Sequence, residues 1–215
     1  MTGGSAKLDA ILLLGPTGAG KSPLGDHIEK KGLAGRRCLH FDFGAQLRSV
    51  AESNAPPEGF TGKEHAFIKD VLEKGLLLEN EHFHIAEKIV GRFVGRGNLK
   101  EEMLILNGLP RHADQARDLG RIVNMKGVVV LECSAEDVHA RIRRNTGGDR
   151  TGRIDDDLQM VIRKLEIFHS RTASLVDYYA GAGCGVYRIK VTAESTPEHV
   201  YSALSSSVPV LPDKT

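Results

Sequence analysis

The sequence predicts an α/β fold, a five-stranded parallel sheet with helices on both faces. Short apolar runs rich in branched residues alternate with longer segments of helical period, the pattern of strands buried on both faces and joined by helical crossovers. The length of 215 residues suits one such domain with room for an insertion. A hydrophobic fraction of 40% with 27% charged residues excludes a disordered or fibrous chain.

The first strand is residues 10–14, a branched apolar run too short for a helix and far too short to span a bilayer. A helix over 22–31 and a strand over 38–41 follow. Three helices, 45–52, 62–74 and 79–95, then precede the third strand at 103–106. One crossover needs only one helix, so residues 43–96 are expected to be an inserted helical lobe between core segments 7–42, 97–144 and 154–206. The core continues with a helix over 113–125, a strand over 128–133 and a helix over 135–144. Residues 145–153, glycine-rich and basic, read as a mobile loop between two helices.

The longest predicted helix spans 155–180, where Leu158, Val161, Ile162, Leu165, Phe168, Thr172, Leu175, Val176 and Tyr179 recur at three and four as one apolar stripe. Lys164 lies at the margin of that stripe and Arg163 nearly opposite. A strand over 186–191, a helix over 196–205 and a tail of 207–215 complete the chain.

Twenty-nine basic side chains against 28 acidic ones leave a net charge of +1, which argues against a nucleic-acid partner and requires any cationic function to be concentrated locally. Seven phenylalanines, four tyrosines and no tryptophan make base-stacking modules poor candidates. Cys38, Cys133 and Cys184 are too far apart for a thiolate zinc site or a disulfide framework and suit a reducing cytosol. His82 and His84, two apart, diverge on a helix and are not expected to bind metal. A cytoplasmic monomer without membrane contact is expected.

Gly15-Pro-Thr-Gly18-Ala19-Gly20-Lys21-Ser22 is a complete phosphate-binding loop, set after an apolar strand and before a helix. Glycines turn successive N–H groups toward one anion, and the helix N-terminus adds a favourable dipole. Lys21 can then reach the β- and γ-phosphates, and the Ser22 hydroxyl can bind Mg2+, so ATP or GTP binding is expected.

At the end of the third strand the chain reads Asn107-Gly108-Leu109-Pro110-Arg111, with Gln115 four residues beyond. With the phosphate loop, this resembles the nucleoside monophosphate kinases of the P-loop class, most closely adenylate kinases with a short lid. The resemblance covers roughly residues 8–205. It implies that the inserted lobe binds the monophosphate and that 145–153 is the lid. Gly44 to Arg48 resemble the start of that lobe, with Arg48 a phosphate ligand, and Phe43 stands at the position expected against the monophosphate's base. Leu78 matches the segment whose backbone meets the base. Gly108 is implied as a close backbone contact, Arg111 as a second phosphate arginine and Gln115 as the reader of adenine. Arg141 is implied beside the ATP base, and Lys21, Arg111, Arg141, Arg153 and Lys164 in the cationic shell around the transferred group. The implied donor is ATP with Mg2+, and the implied acceptor AMP.

The chain departs from this pattern at several points. Asn107 and Ala45 stand where the family has aspartates, Phe43 replaces a small hydroxyl residue, and Lys164 replaces an arginine, losing its bidentate fork. Two rival readings follow. One is a small-metabolite kinase using Asp42 as base for an alcohol acceptor. The other is a nucleotide-binding regulatory module with weak catalysis.

Overall fold

The computed structural model describes residues 7–76, 78–95, 102–149 and 158–209. Five strands, β1 (Leu8–Leu14), β2 (Cys38–Asp42), β3 (Met103–Asn107), β4 (Val123–Glu132) and β5 (Gly185–Lys190), form one sheet in the order β2-β3-β1-β4-β5. Every pairing is parallel, as the crossover pattern predicts. Two apolar clusters cover its faces. Phe41, Leu106 and Val128 belong to one, and Ile11, Leu13 and Ile105 to the other.

Helix α1 (Lys21–Lys31) starts from Gly20 in a left-handed conformation, where no capping side chain competes with an anion for the helix N-terminus. Between β2 and β3 lie α2 (Phe43–Ala51), α3 (Gly62–Glu73) and α4 (Phe83–Val94), the last preceded by a 3-10 turn over Asn80–His82. α3 opens on a capping box in which Thr61 and Glu64 satisfy each other's backbone N–H groups. Glu64 also accepts from Lys88 Nζ at 2.7 Å, joining α3 to α4.

After β3 the predicted helix over 113–125 is cut short. α5 (Ala113–Leu119) stops at Gly120, and Val123 and Met125 belong instead to a longer β4. Val123 and Met125 alternate with the polar Asn124 and Lys126 at a period of two and lead into the continuous apolar run 128–131, and pairing with β1 draws them into the strand. α6 (Ala135–Arg144) is capped by Ser134 and ends at Asn145 in the left-handed region (φ 48°).

The single long helix predicted over 155–180 is three pieces. α7 (Leu158–Ile167) runs into a π-helical turn over Phe168–Thr172, and α8 (Leu175–Gly181) follows. A π turn carries an extra residue and rotates the faces on either side of it. Ile162, assigned to the buried stripe, is therefore 47% exposed, whereas Val161, Thr172, Leu175 and Tyr179 are buried. α9 (Pro197–Ser207) packs on α1.

At the N-terminal edge of the sheet Asp9 is buried and accepts from Arg36 Nη1 at 2.7 Å and Asn124 Nδ2 at 2.9 Å, with Lys126 Nζ at 3.5 Å. No helix among the described residues is long and apolar enough to cross a membrane.

Candidate active site

The C-terminal ends of β1, β2 and β3 open into a cleft of about 680 Å³, where ligands are expected on an open parallel sheet. The phosphate loop forms its floor. Gly18 and Gly20 have φ of 83° and 92°, values that side-chain-bearing residues rarely adopt, and an added Cβ at Gly18 would lie 2.9 Å from Ile142. Lys21 Nζ donates to Gly15 O at 2.7 Å and Pro16 O at 2.8 Å, holding the ammonium against the loop. Gly15, Gly18, Gly20, Lys21 and Ser22 line the cleft, whereas Ala19 is fully buried and contributes only backbone.

Beside the loop, Ser22, Asp42 and Asn107 close a triangle. Ser22 Oγ donates to Asp42 Oδ2 at 2.5 Å, and Asn107 Nδ2 donates to the same oxygen at 2.9 Å and to Ser22 Oγ at 3.0 Å. Asp42 Oδ1 accepts from Ala45 N at 2.9 Å and so caps α2. Burial pushes this carboxyl upward, but the Ser22 hydroxyl, the Ala45 N–H and the charges of His40 and Arg48 outweigh it. Its pKa lies below the ordinary carboxylate value. Mg2+ takes hard oxygen ligands, keeps several waters and is commonly held by one or two carboxylates together with phosphates. A lone carboxylate beside a hydroxyl on a phosphate loop fits that demand. No cluster of three or more His, Cys, Asp or Glu residues able to hold a metal by itself exists among the described residues.

The acceptor side is cationic. Arg48 on α2 and Arg111 after β3 both line the cleft, as do Phe43, Gly44 and Gly108. Arg111 Nε donates to Gly108 O at 3.0 Å and Thr172 Oγ1 donates to Arg111 O at 3.0 Å, fixing the arginine between β3 and the long helical segment. Burial lowers the pKa of its guanidinium and Asp42 opposes that shift. Lys164 and Phe168 form part of the far wall, and Arg163 is exposed. Arg153 lies outside the described residues.

Three implied roles meet a different geometry. Gln115, expected to read a base, is 1% exposed and spends both ends of its amide on backbone: Oε1 accepts from Arg111 N at 2.9 Å and Nε2 donates to Leu78 O at 2.5 Å. It ties the Leu78 segment to the arginine loop, and the Leu78 carbonyl is thereby occupied. Arg141, expected beside the ATP base and in the cationic shell, is 3% exposed and absent from the cleft wall. Its Nε donates to Gly18 O at 3.1 Å, and its Nη1 to Thr192 O at 2.8 Å and Ser195 O at 2.7 Å, so it braces the phosphate loop from beneath. Phe43 borders the cleft but is only 5% exposed, and its ring lies 6.2 Å from that of Phe41 in the core. Asp42 was anticipated solely as a base. Its place at the C-terminal end of β2, two positions from the loop strand in the same sheet, was the available signal for its bond to Ser22.

No family model matches the chain. The chain is similar to the adenylate kinase of Parabacteroides distasonis, 28% identical over 204 residues covering 92% of this chain and 96% of that one. It is 29% identical to the adenylate kinase of Thermus thermophilus, over 93% of this chain and 96% of the relative. In fold it resembles a gluconokinase from Sinorhizobium meliloti, with a TM-score of 0.51 at 13% identity over 92% of this chain and 90% of the other. The last comparison speaks for the P-loop kinase architecture alone. Over nearly its whole length the chain is similar to adenylate kinases, and it carries a phosphate loop at the mouth of a 2-3-1-4-5 sheet.

Proposed function

We propose that the protein is an ATP-dependent phosphotransferase that reversibly moves the γ-phosphoryl group of ATP to a nucleoside monophosphate, with AMP as the preferred acceptor. One observation carries this reading: a single cleft joins the phosphate loop to two arginines, Arg48 and Arg111, on segments that follow β2 and β3. The adenylate kinase relatives, matched over 96% of their length, support it.

A monophosphate has its second pKa near 6, so its attacking oxygen is already deprotonated at neutral pH and no general base is required. The protein must supply alignment and positive charge for the three equatorial oxygens of the transferred group. Lys21 and the loop N–H groups grip the donor. Arg48 and Arg111 grip the acceptor, and Lys164 adds charge from the far wall. Ser22 and Asp42 would help to hold Mg2+ brought with the nucleotide, which would supply neutralising charge to the phosphates. Residues 43–96 are the acceptor lobe in this reading and 145–153 the lid, whose closure excludes water.

An alcohol acceptor would need Asp42 as base. Its two oxygens accept from Ser22, Asn107 and Ala45, and its depressed pKa makes it a weak proton acceptor. Coupled measurement of ADP formation with AMP, CMP, UMP and GMP decides the matter. AMP should stimulate turnover most; absence of stimulation by all four, with turnover on a hydroxyl compound instead, would transfer the assignment to a metabolite kinase.

A further inference from the structure

We propose that Asp42, on β2, is the carboxylate that orients the water shell of the nucleotide-bound Mg2+, with Asn107 on β3 acting as its holder. The proposal rests on the phosphotransferase reading. The loop hydroxyl of Ser22 is the group a phosphate loop presents to that cation. Among the described residues, Asp42 is the acid joined to it, through Oδ2 at 2.5 Å. Water held by a divalent cation presents hydrogens outward, so its partner in the protein must be an acceptor. Asn107 does not offer one on this side, because its Nδ2 is turned toward both Asp42 and Ser22. The carboxylate therefore combines two properties the cation needs: negative charge and lone pairs.

The backbone accounts for how the two residues share the task. Asp42 and Asn107 are Cα partners in the parallel ladder of β2 and β3, so their side chains leave the same face at the same level. With Oδ1 held by Ala45 N and Oδ2 by Asn107, the acid cannot rotate away from Ser22. Asp42 is thus a positioning residue, acting on the transferred phosphoryl group through the cation and its water.

The test measures metal rather than turnover. Mn2+ binding in the presence of ADP is read by electron paramagnetic resonance for the native chain, Asp42→Asn, and the exchange variant Asp42→Asn/Asn107→Asp. Asparagine still caps α2, so the first variant should keep its fold, and the thermal midpoint and metal-free ADP affinity verify that. The expected result is a loss of Mn2+ affinity of about 10-fold or more in Asp42→Asn, with ADP affinity unchanged and most of the Mn2+ affinity recovered in the exchange variant. Unchanged Mn2+ affinity in Asp42→Asn would overturn the proposal while leaving the phosphotransferase reading intact, and so would failure of the exchange variant to recover it. Failure of the native chain to bind ATP or ADP at all would overturn the reading itself, and the proposal with it.

Discussion

Arg111 is the side chain on which phosphoryl transfer should depend most steeply. Its guanidinium is held by the Gly108 carbonyl, and its carbonyl by Thr172, so its two remaining nitrogens are fixed in direction. Arg111→Lys keeps the charge and loses the fork; turnover should fall by roughly 10²-fold, with little change in melting temperature. Steady-state ADP formation beside a thermal melt checks both. Gln115→Ala should behave differently. It leaves Leu78 O and Arg111 N without partners in a buried place, a cost of about 2 kcal/mol or more in stability. It should also raise the KM for the monophosphate, measured by urea unfolding and initial rates. The phosphate loop was readable because its signal is local, eight consecutive positions of fixed spacing. The seats of Gln115 and Arg141 were not readable, because their partners lie 37 residues away at Leu78 and 51 and 54 away at Thr192 and Ser195. Nothing in the chain near either residue encodes which backbone carbonyl will arrive.

Among the elements, α3 shows how one carboxylate can hold two helices together. The Lys88 ammonium and the Thr61 N–H lower the pKa of Glu64 to about 2 from an ordinary 4.5. A group whose pKa is depressed on folding adds stability above its unfolded value, and that stability is lost as pH falls through the folded one. The native chain should therefore exceed Glu64→Gln in stability at neutral pH, and the gap should close between pH 4.5 and about 2. Chemical denaturation at stepped pH measures it. Strands and helices of strong period were legible, including all five strands of the sheet. The two element-level misses share a physical cause. The start of β4 and the face of α7 depend on what packs against them, since a short apolar run satisfies either period and a π turn shifts phase without any marker residue.

At the scale of the molecule, chemistry and stability sit at opposite ends of the sheet. Arg36 and Asp9 are paired at the N-terminal edge with side chains only 5% and 3% exposed. Arg36→Met would leave Asp9 short of its main counter-charge and should cost about 3–5 kcal/mol. The specific activity of the folded fraction should be unchanged, because the cleft lies at the other ends of the same strands; calorimetry and activity per folded molecule test the separation. The ladder pairing of Asp42 with Asn107 has a different consequence, one of epistasis. Two residues facing each other across a parallel pair can trade identities without moving the charge they place in the cleft. A scan of single substitutions would score both positions as intolerant, and a library that varied them together would find the exchanged pair permitted. The inheritable unit at this site is the rung, and neither residue alone.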